Sequence, residues 1–362
     1  MMLTAVAVDG PLLRLRLPYP EALPSLQTAF SAAFSTFADG ADPLAQFADP
    51  AARGALRARL AVTREPHVPN SPPPAAAPRP WTLGPQSGQA VEEQLEHDRY
   101  FEVERSGGDP APGFVAGLLL AYLAAYENCL SMGVTLMDCA DWEWLFAGIT
   151  RLAPGGAGKP PAPPRPAGWR DGYDPAARWL VGHQLFFALI QGSIIGLNSF
   201  AEAAAQWDRE TEPTAAMAAG LELAAAFLRG SAAAMKFASD FAPADYDRTV
   251  RPDMAPPKVR AGFSGFQTRD HAHLVRLLGA LRPLFAALAG RLAAHRELVD
   301  AMASAYAAHE LICAHFRGDV LPSLRMAAAS RGGAGRTGVD VVRDLMRSRL
   351  ALVDPGGSGR GG

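Results

Sequence analysis

The sequence predicts an all-α protein, a large helical bundle with a smaller irregular N-terminal region. Three observations carry that expectation. Ala and Leu dominate, β-branched runs are rare, and apolar residues recur at spacings of three and four. The 362 residues are 49% hydrophobic and 19% charged, enough for a substantial core. Alternation fit for a strand is confined to a stretch within Leu3 to Leu17.

The apolar spacing places helices at 20–38, 88–105, 112–137, 140–152, 174–208, 213–239, 268–292, 294–317 and 338–351. Asp141, Asp174 and Asp270 stand near three of the starts, where a short carboxylate accepts from exposed backbone N–H groups. Residues 68–80 (VPNSPPPAAAPRP) and 153–168 (APGGAGKPPAPPRPAG) carry prolines too dense for helix or central strand. This suggests residues 1–110 as an N-terminal region with a Pro-rich linker, 111–352 as the helical domain and 353–362 as a flexible tail.

Several function classes lack support. A net charge of −2 gives no basic footprint for nucleic acid. No Gly-x-Gly-x-x-Gly follows a strand, and neither His-Glu-x-x-His nor Gly-x-Ser-x-Gly occurs. The cysteines, Cys129, Cys139 and Cys313, show neither metal-ligand spacing nor a disulfide framework. The N-terminus lacks a signal-peptide pattern, and the apolar stretches Phe114–Tyr126 and Leu185–Leu197 read as too short to span a bilayer. The expectation is a cytoplasmic protein that engages no membrane; its oligomeric state is not legible.

The helix from Trp179 (WLVGHQLFFALIQGSIIGLNSF) is apolar on nearly every face and should be central. His183, Gln184, Gln191 and Asn198 inside it need partners, either other helices or a bound ligand. Three further features follow in order. Arg251 precedes Pro252 and can cap a helix end or grip a carboxylate through its fork. His309 and His315 share one helix, six residues apart, which is about 240° around it, so they cannot face one iron. A glycine cluster, Gly332 to Gly338, opens the last helix and reads as a flexible connector or a lid over an anion. An arginine, a histidine on an apolar helix and a glycine-rich loop are what a heme pocket with an anionic substrate requires. Leu311 and Ile312 give His315 the more apolar shoulder.

Over roughly residues 175–350 these segments resemble the indoleamine and tryptophan 2,3-dioxygenase superfamily, which includes the monodechloroaminopyrrolnitrin synthase group. The segment GHQLFFALIQGSIIGLNSFAEAAAQWDRE is similar to its distal helix, PADYDRTVRP to its carboxylate-binding segment, AGFSGFQTRD to its turn above the heme, and GGAGRTGVDVVRDL to its C-terminal loop. The resemblance implies heme b held by His315, which lies 23 positions before Gly338, with His309 as second choice. It implies His183 or Gln184 as the distal catalytic residue, and Arg251, Tyr246, Ser264, Thr337 and Gly338 as substrate-binding residues. The implied function is oxidation of an indole amino acid, tryptophan or a derivative, by O2. Two alternatives stand beside it. One is a heme enzyme that oxidises or rearranges a modified tryptophan in natural-product biosynthesis. The other is a heme-binding or helical protein without turnover.

Overall fold

The computed structural model describes residues 14–25, 28–38, 44–62, 79–83, 86–153, 160–163, 168–169, 172–263, 268–288, 290–316 and 337–356. Ten helices of more than one turn occur among them. They are α1 (Thr28–Ala38), α2 (Pro50–Val62), α3 (Gly88–Tyr100), α4 (Pro110–Met132), α5 (Cys139–Leu152), α6 (Pro175–Ala204), α7 (Ala215–Ala238), α8 (Arg269–Leu288), α9 (Ala293–His315) and α10 (Gly338–Val353). Two short strands, β1 (Leu15–Pro18) and β2 (Val103–Ser106), pair in parallel with Leu15 opposite Val103. The all-α expectation holds.

Departures from the expected boundaries have local causes. The first predicted helix is split, because Pro24 follows a 3₁₀ turn at Pro20–Ala22 and the α-helix begins only at Thr28. The predicted 88–105 helix stops at Tyr100. Glu102 takes a φ of 51°, which ends the helix and lets Val103 start a strand. Helix α2, which the apolar spacing did not announce, starts on Pro50 and buries Leu56 and Leu60 one turn apart. Asp174 caps α6, accepting from the N–H groups of Ala176 and Ala177. Asp138 caps α5, with Asp141 completing a capping box three residues later. Asp270 caps nothing and is buried.

Helix α6 is the axis of the molecule. It is buried on all sides and runs antiparallel to α7, with Gly182 facing Ala238, Gly192 facing Phe227 and Gly196 facing Ala224. A Cβ on Gly196 would lie 2.5 Å from the Ala224 nitrogen, so the two backbones touch. Helix α5 covers α7, α4 and α8 flank α6, α9 packs on α7, and α10 covers α9. The N-terminal segments join the same core: Phe30 packs edge-on against Phe114 at 6.0 Å. One apolar cluster runs from Leu15 to Val353.

Helices α4 and α6 are long and apolar enough to cross a membrane by length and composition, unlike the shorter stretches read from the sequence. In α6, 89% of that apolar window is buried inside the protein.

The α6–α7 contact predicts opposite outcomes for two glycine substitutions. Gly196→Ala forces overpacking and should cost about 1–3 kcal/mol. Gly54→Ala, in an exposed part of α2 where a Cβ meets nothing within 4 Å, should stabilise by about 0.4–1 kcal/mol. Urea unfolding of the two variants measures both signs.

Candidate active site

Three helices each bring a histidine to one level of the bundle. A small apolar cavity of about 30 Å³, room for about one water, marks the level below. Phe186 of α6, Leu274 and Val275 of α8, and Ala305 of α9 line it. One turn further on, the same helices present His183, His271 and His309. His271 itself borders the cavity. All three rings keep some accessible surface, although protein surrounds His183 and His309 closely enough for desolvation to dominate their titration.

That environment keeps the imidazoles of His183 and His309 neutral. Burial lowers the pKa of His183 to about 4, with His97 adding to the effect. Burial lowers that of His309 to about 3, helped by nearby His271 and then His183. His183 Nδ1 lies 2.8 Å from the Trp179 carbonyl. A carbonyl only accepts, so Nδ1 carries the proton and Nε2 keeps its lone pair. His309 Nε2 lies 3.5 Å from the sulfur of Cys313, one turn along α9. Burial and then Glu310 push the Cys313 thiol up to about 11.

An aromatic wall adjoins the histidines. The His183 ring stacks on Phe101 at 4.5 Å and packs against Trp179 at 4.1 Å. Tyr100 contacts Phe101 and Phe263, each at 4.8 Å. Tyr246 contacts Trp179 at 5.8 Å and stacks on Phe316 at 4.2 Å. Burial raises Tyr246 to about 12, against the pull of the Arg251 cation, while Cys313 also acts on it. Tyr246 therefore links the Arg251 corner to the end of α9 that carries Cys313. That corner is a five-residue π-turn, Tyr246–Val250, which leads straight into Arg251–Asp253. Arg251 is half-buried, and no carboxylate among the described residues forms an ion pair with it.

The residues expected from the sequence thus separate. His183, Tyr246, Arg251 and the second choice His309 come together. His315 does not join them. It has turned about 240° around α9, and its Nε2 donates to the Phe241 carbonyl at 3.0 Å. Gln184 points to the Phe101 carbonyl, 3.0 Å away, and serves as an interhelix tie. Thr337 is the N-cap of α10, its hydroxyl held by Asp340, and Gly338 is buried as the first helical residue. Ser264 and residues 332–336 of the glycine cluster lie outside the described residues. Sequence reasoning passed over His271, Cys313, Tyr100, Phe101 and Trp179. The signal for one of them was present: in His309-Glu-Leu-Ile-Cys313 the four-residue spacing puts thiol and imidazole on one helix face.

Comparison with known proteins now decides the family. The sequence profile of the SfmD 3-methyl-L-tyrosine peroxygenase family matches residues 16–295. A 3-methyl-L-tyrosine peroxygenase of Streptomyces lavendulae is 30% identical over 352 residues, covering 93% of this chain and 90% of its own. The chain belongs to this family. A crystal structure of reduced SfmD, obtained by soaking with sodium hydrosulfite, superposes with a TM-score of 0.58 at 26% identity. The superposition covers 82% of this chain and 96% of that one. Membership places the chain among oxidoreductases, as expected, and with peroxygenases rather than dioxygenases. It favours the expected alternative, a heme enzyme that oxidises or rearranges a modified tryptophan in natural-product biosynthesis, over tryptophan dioxygenation, although the modified aromatic amino acid of the relative is a tyrosine.

The neutral histidines predict an acid-labile fold in protein prepared without cofactor. Unfolded, each ring protonates near its ordinary value of 6.5; folded, His183 waits until about 4 and His309 until about 3. The unfolded state therefore binds more protons within that window, and stability falls as pH drops through it. His183→Gln or His309→Gln should each flatten the slope by about 1.4 kcal/mol per pH unit. Urea midpoints measured from neutral pH downward give the slope.

Proposed function

We propose that this chain is a heme-dependent peroxygenase that inserts one oxygen atom into the ring of an aromatic α-amino acid of the tyrosine class. The supporting observation is a set of three histidines at one level of an apolar bundle, His183 and His309 held neutral by burial, next to an aromatic wall and a half-buried arginine. Neutral imidazole lone pairs in a dry helical slot are the donor set that heme iron takes. His309 would hold the iron from α9 and His271 from α8. Of the two histidines that act on His309, His271 acts more strongly. Both faces of His183 are packed by Phe101 and Trp179, so it belongs to the substrate wall. Cys313 stands one turn from His309, as cysteines flank the ligating histidine in c-type attachment, and would tether the heme edge.

When bound, the heme supplies the activation of peroxide. The balance is substrate C–H plus hydrogen peroxide giving C–OH plus water. The chain's own residues supply binding and proton handling. Arg251 grips the substrate carboxylate through its planar fork. Tyr100, Trp179 and Tyr246 clasp the ring. The His183 Nε2 lone pair can accept the proton of a substrate phenol, and its low pKa leaves that lone pair free at neutral pH. The aromatic wall excludes water from the reacting face. The relative from Streptomyces lavendulae is a 3-methyl-L-tyrosine peroxygenase, and we assign this chain the same class of substrate, a ring-substituted aromatic amino acid of natural-product biosynthesis.

Purified protein should show a Soret band that His309→Ala abolishes and His315→Ala leaves. Acid–acetone extraction should release the heme only from Cys313→Ala. With hydrogen peroxide and a methylated tyrosine, mass spectrometry should find a product carrying one added oxygen. L-tryptophan converted with two added oxygens from O2 would instead restore the dioxygenase reading. A protein that shows no Soret band after expression with heme supply would refute both.

Arg251→Ala should keep the heme and raise KM on the order of 10- to 100-fold, the loss of a charged hydrogen-bonded contact of about 1.5–3 kcal/mol. Arg251→Lys should rescue little, because lysine lacks the fork. Unchanged substrate affinity in Arg251→Ala would remove the carboxylate role.

A further inference from the structure

The residue before His271 is spent in an unexpected way. Asp270 lies in the first turn of α8, where a carboxylate ordinarily caps the helix. Thr268 does the capping instead, its hydroxyl accepting from the His271 N–H at 3.2 Å. The Asp270 side chain is turned inward and fully buried. Its Oδ1 accepts from Arg105 Nη1 at 2.9 Å and from Gln191 Nε2 at 2.8 Å. Its Oδ2 accepts from Arg105 Nη2 at 2.7 Å.

Arg105, on β2, is itself buried and uses the rest of its fork on Asp98 of α3, through Nε at 3.0 Å and Nη2 at 2.6 Å. Gln191, on the central helix α6, also donates to the Pro18 carbonyl of β1 at 2.7 Å. One guanidinium thus joins the first turn of α8 to both strands and α3, and Gln191 ties the shared Asp270 carboxylate to α6. Apolar replacements of such a cluster are often as stable or more so, so stability alone does not account for it. What a planar fork adds is direction: it fixes two carboxylates in register, as packing alone does not. The first turn of a helix has the fewest bonds of its own and gains most from such fixing.

We propose that the Arg105–Asp270 fork, with Gln191, is a positioning device for His271, locking the first turn of α8 so that its imidazole keeps one place opposite His309. The inference rests on the reading that both histidines hold the heme iron. Arg105 and Asp270 are positioning residues and touch neither substrate nor iron. The aspartate, next in sequence to the ligand, transmits the lock through the backbone of a single turn. The strands, otherwise a minor part of an all-helical molecule, gain a purpose: they carry the arginine.

The test uses ferric holoprotein and reads the iron spin state by absorption and electron paramagnetic resonance. The variants are His271→Ala, Asp270→Asn and Arg105→Lys. Asp240→Asn serves as a control, because Asp240 anchors a different buried cluster, accepting from the Thr135 N–H at 2.7 Å and Trp169 Nε1 at 3.0 Å. His271→Ala should convert the iron from low to high spin. Asp270→Asn and Arg105→Lys should keep heme stoichiometry and helical circular dichroism, yet raise the high-spin to low-spin ratio roughly 10- to 100-fold, the scale on which supporting shells act. Added imidazole should reverse the change in Asp270→Asn. Asp240→Asn should lower Tm without moving the ratio, which separates positioning from general loosening. A wild-type ratio in both fork variants, with His271→Ala shifted, overturns the proposal and leaves the heme reading standing. An unshifted His271→Ala overturns both. Should Asp270→Asn fail to fold, Arg105→Lys, which keeps the buried charge, decides alone.

Discussion

The structure depends on one helix that has no solvent face. Helix α6 is apolar around its circumference and touches α7 at the level of backbone atoms, so every other element is arranged to cover the pair. A helix so enclosed cannot leave its polar side chains unanswered. Gln184 reaches the Phe101 carbonyl, Gln191 reaches Pro18 and Asp270, and Asn198 reaches Leu23 at 3.0 Å. Three of these four acceptor residues, Pro18, Leu23 and Phe101, lie in the first third of the chain. The buried polar groups of the central helix therefore fasten the N-terminal segments to the bundle.

The same enclosure makes the chemistry available. A histidine on an exposed helix titrates near neutrality and hydrogen-bonds to water. His183 and His309 are held neutral far below that range because the surrounding protein denies them solvent. Neutral rings, an adjoining thiol, an aromatic wall and one half-buried arginine amount to different environments a few side chains apart. The family of 3-methyl-L-tyrosine peroxygenases, to which the chain belongs, has an activity such a division of labour can serve.

Much of the bundle was legible because helices declare themselves by spacing: the extents of α5, α6, α7, α9 and α10 follow from apolar recurrence alone. Boundaries set by single residues were less so. Glu102 with its positive φ and Pro24 after a 3₁₀ turn each override a pattern that continues past them. For the site, periodicity tells which residues share a face but not what that face meets. His315 has the more apolar neighbours in sequence, yet its turn of α9 meets the Phe241 carbonyl, while His309 meets His183 and His271 from other helices. Asp270 was misread as a cap for the same reason: its partner Arg105 lies 165 residues away, and no local pattern announces a buried ion pair. Arg251 and Tyr246 were legible through resemblance, and the structure shows why they belong together: one π-turn carries both.

Locating the iron tests the roles of His309 and His271 most directly. Anomalous diffraction at the iron edge, from crystals of the protein as purified, should show a single peak beside His309 and His271. A peak at His315, or crystals of catalytically active protein with no iron peak, would contradict these roles.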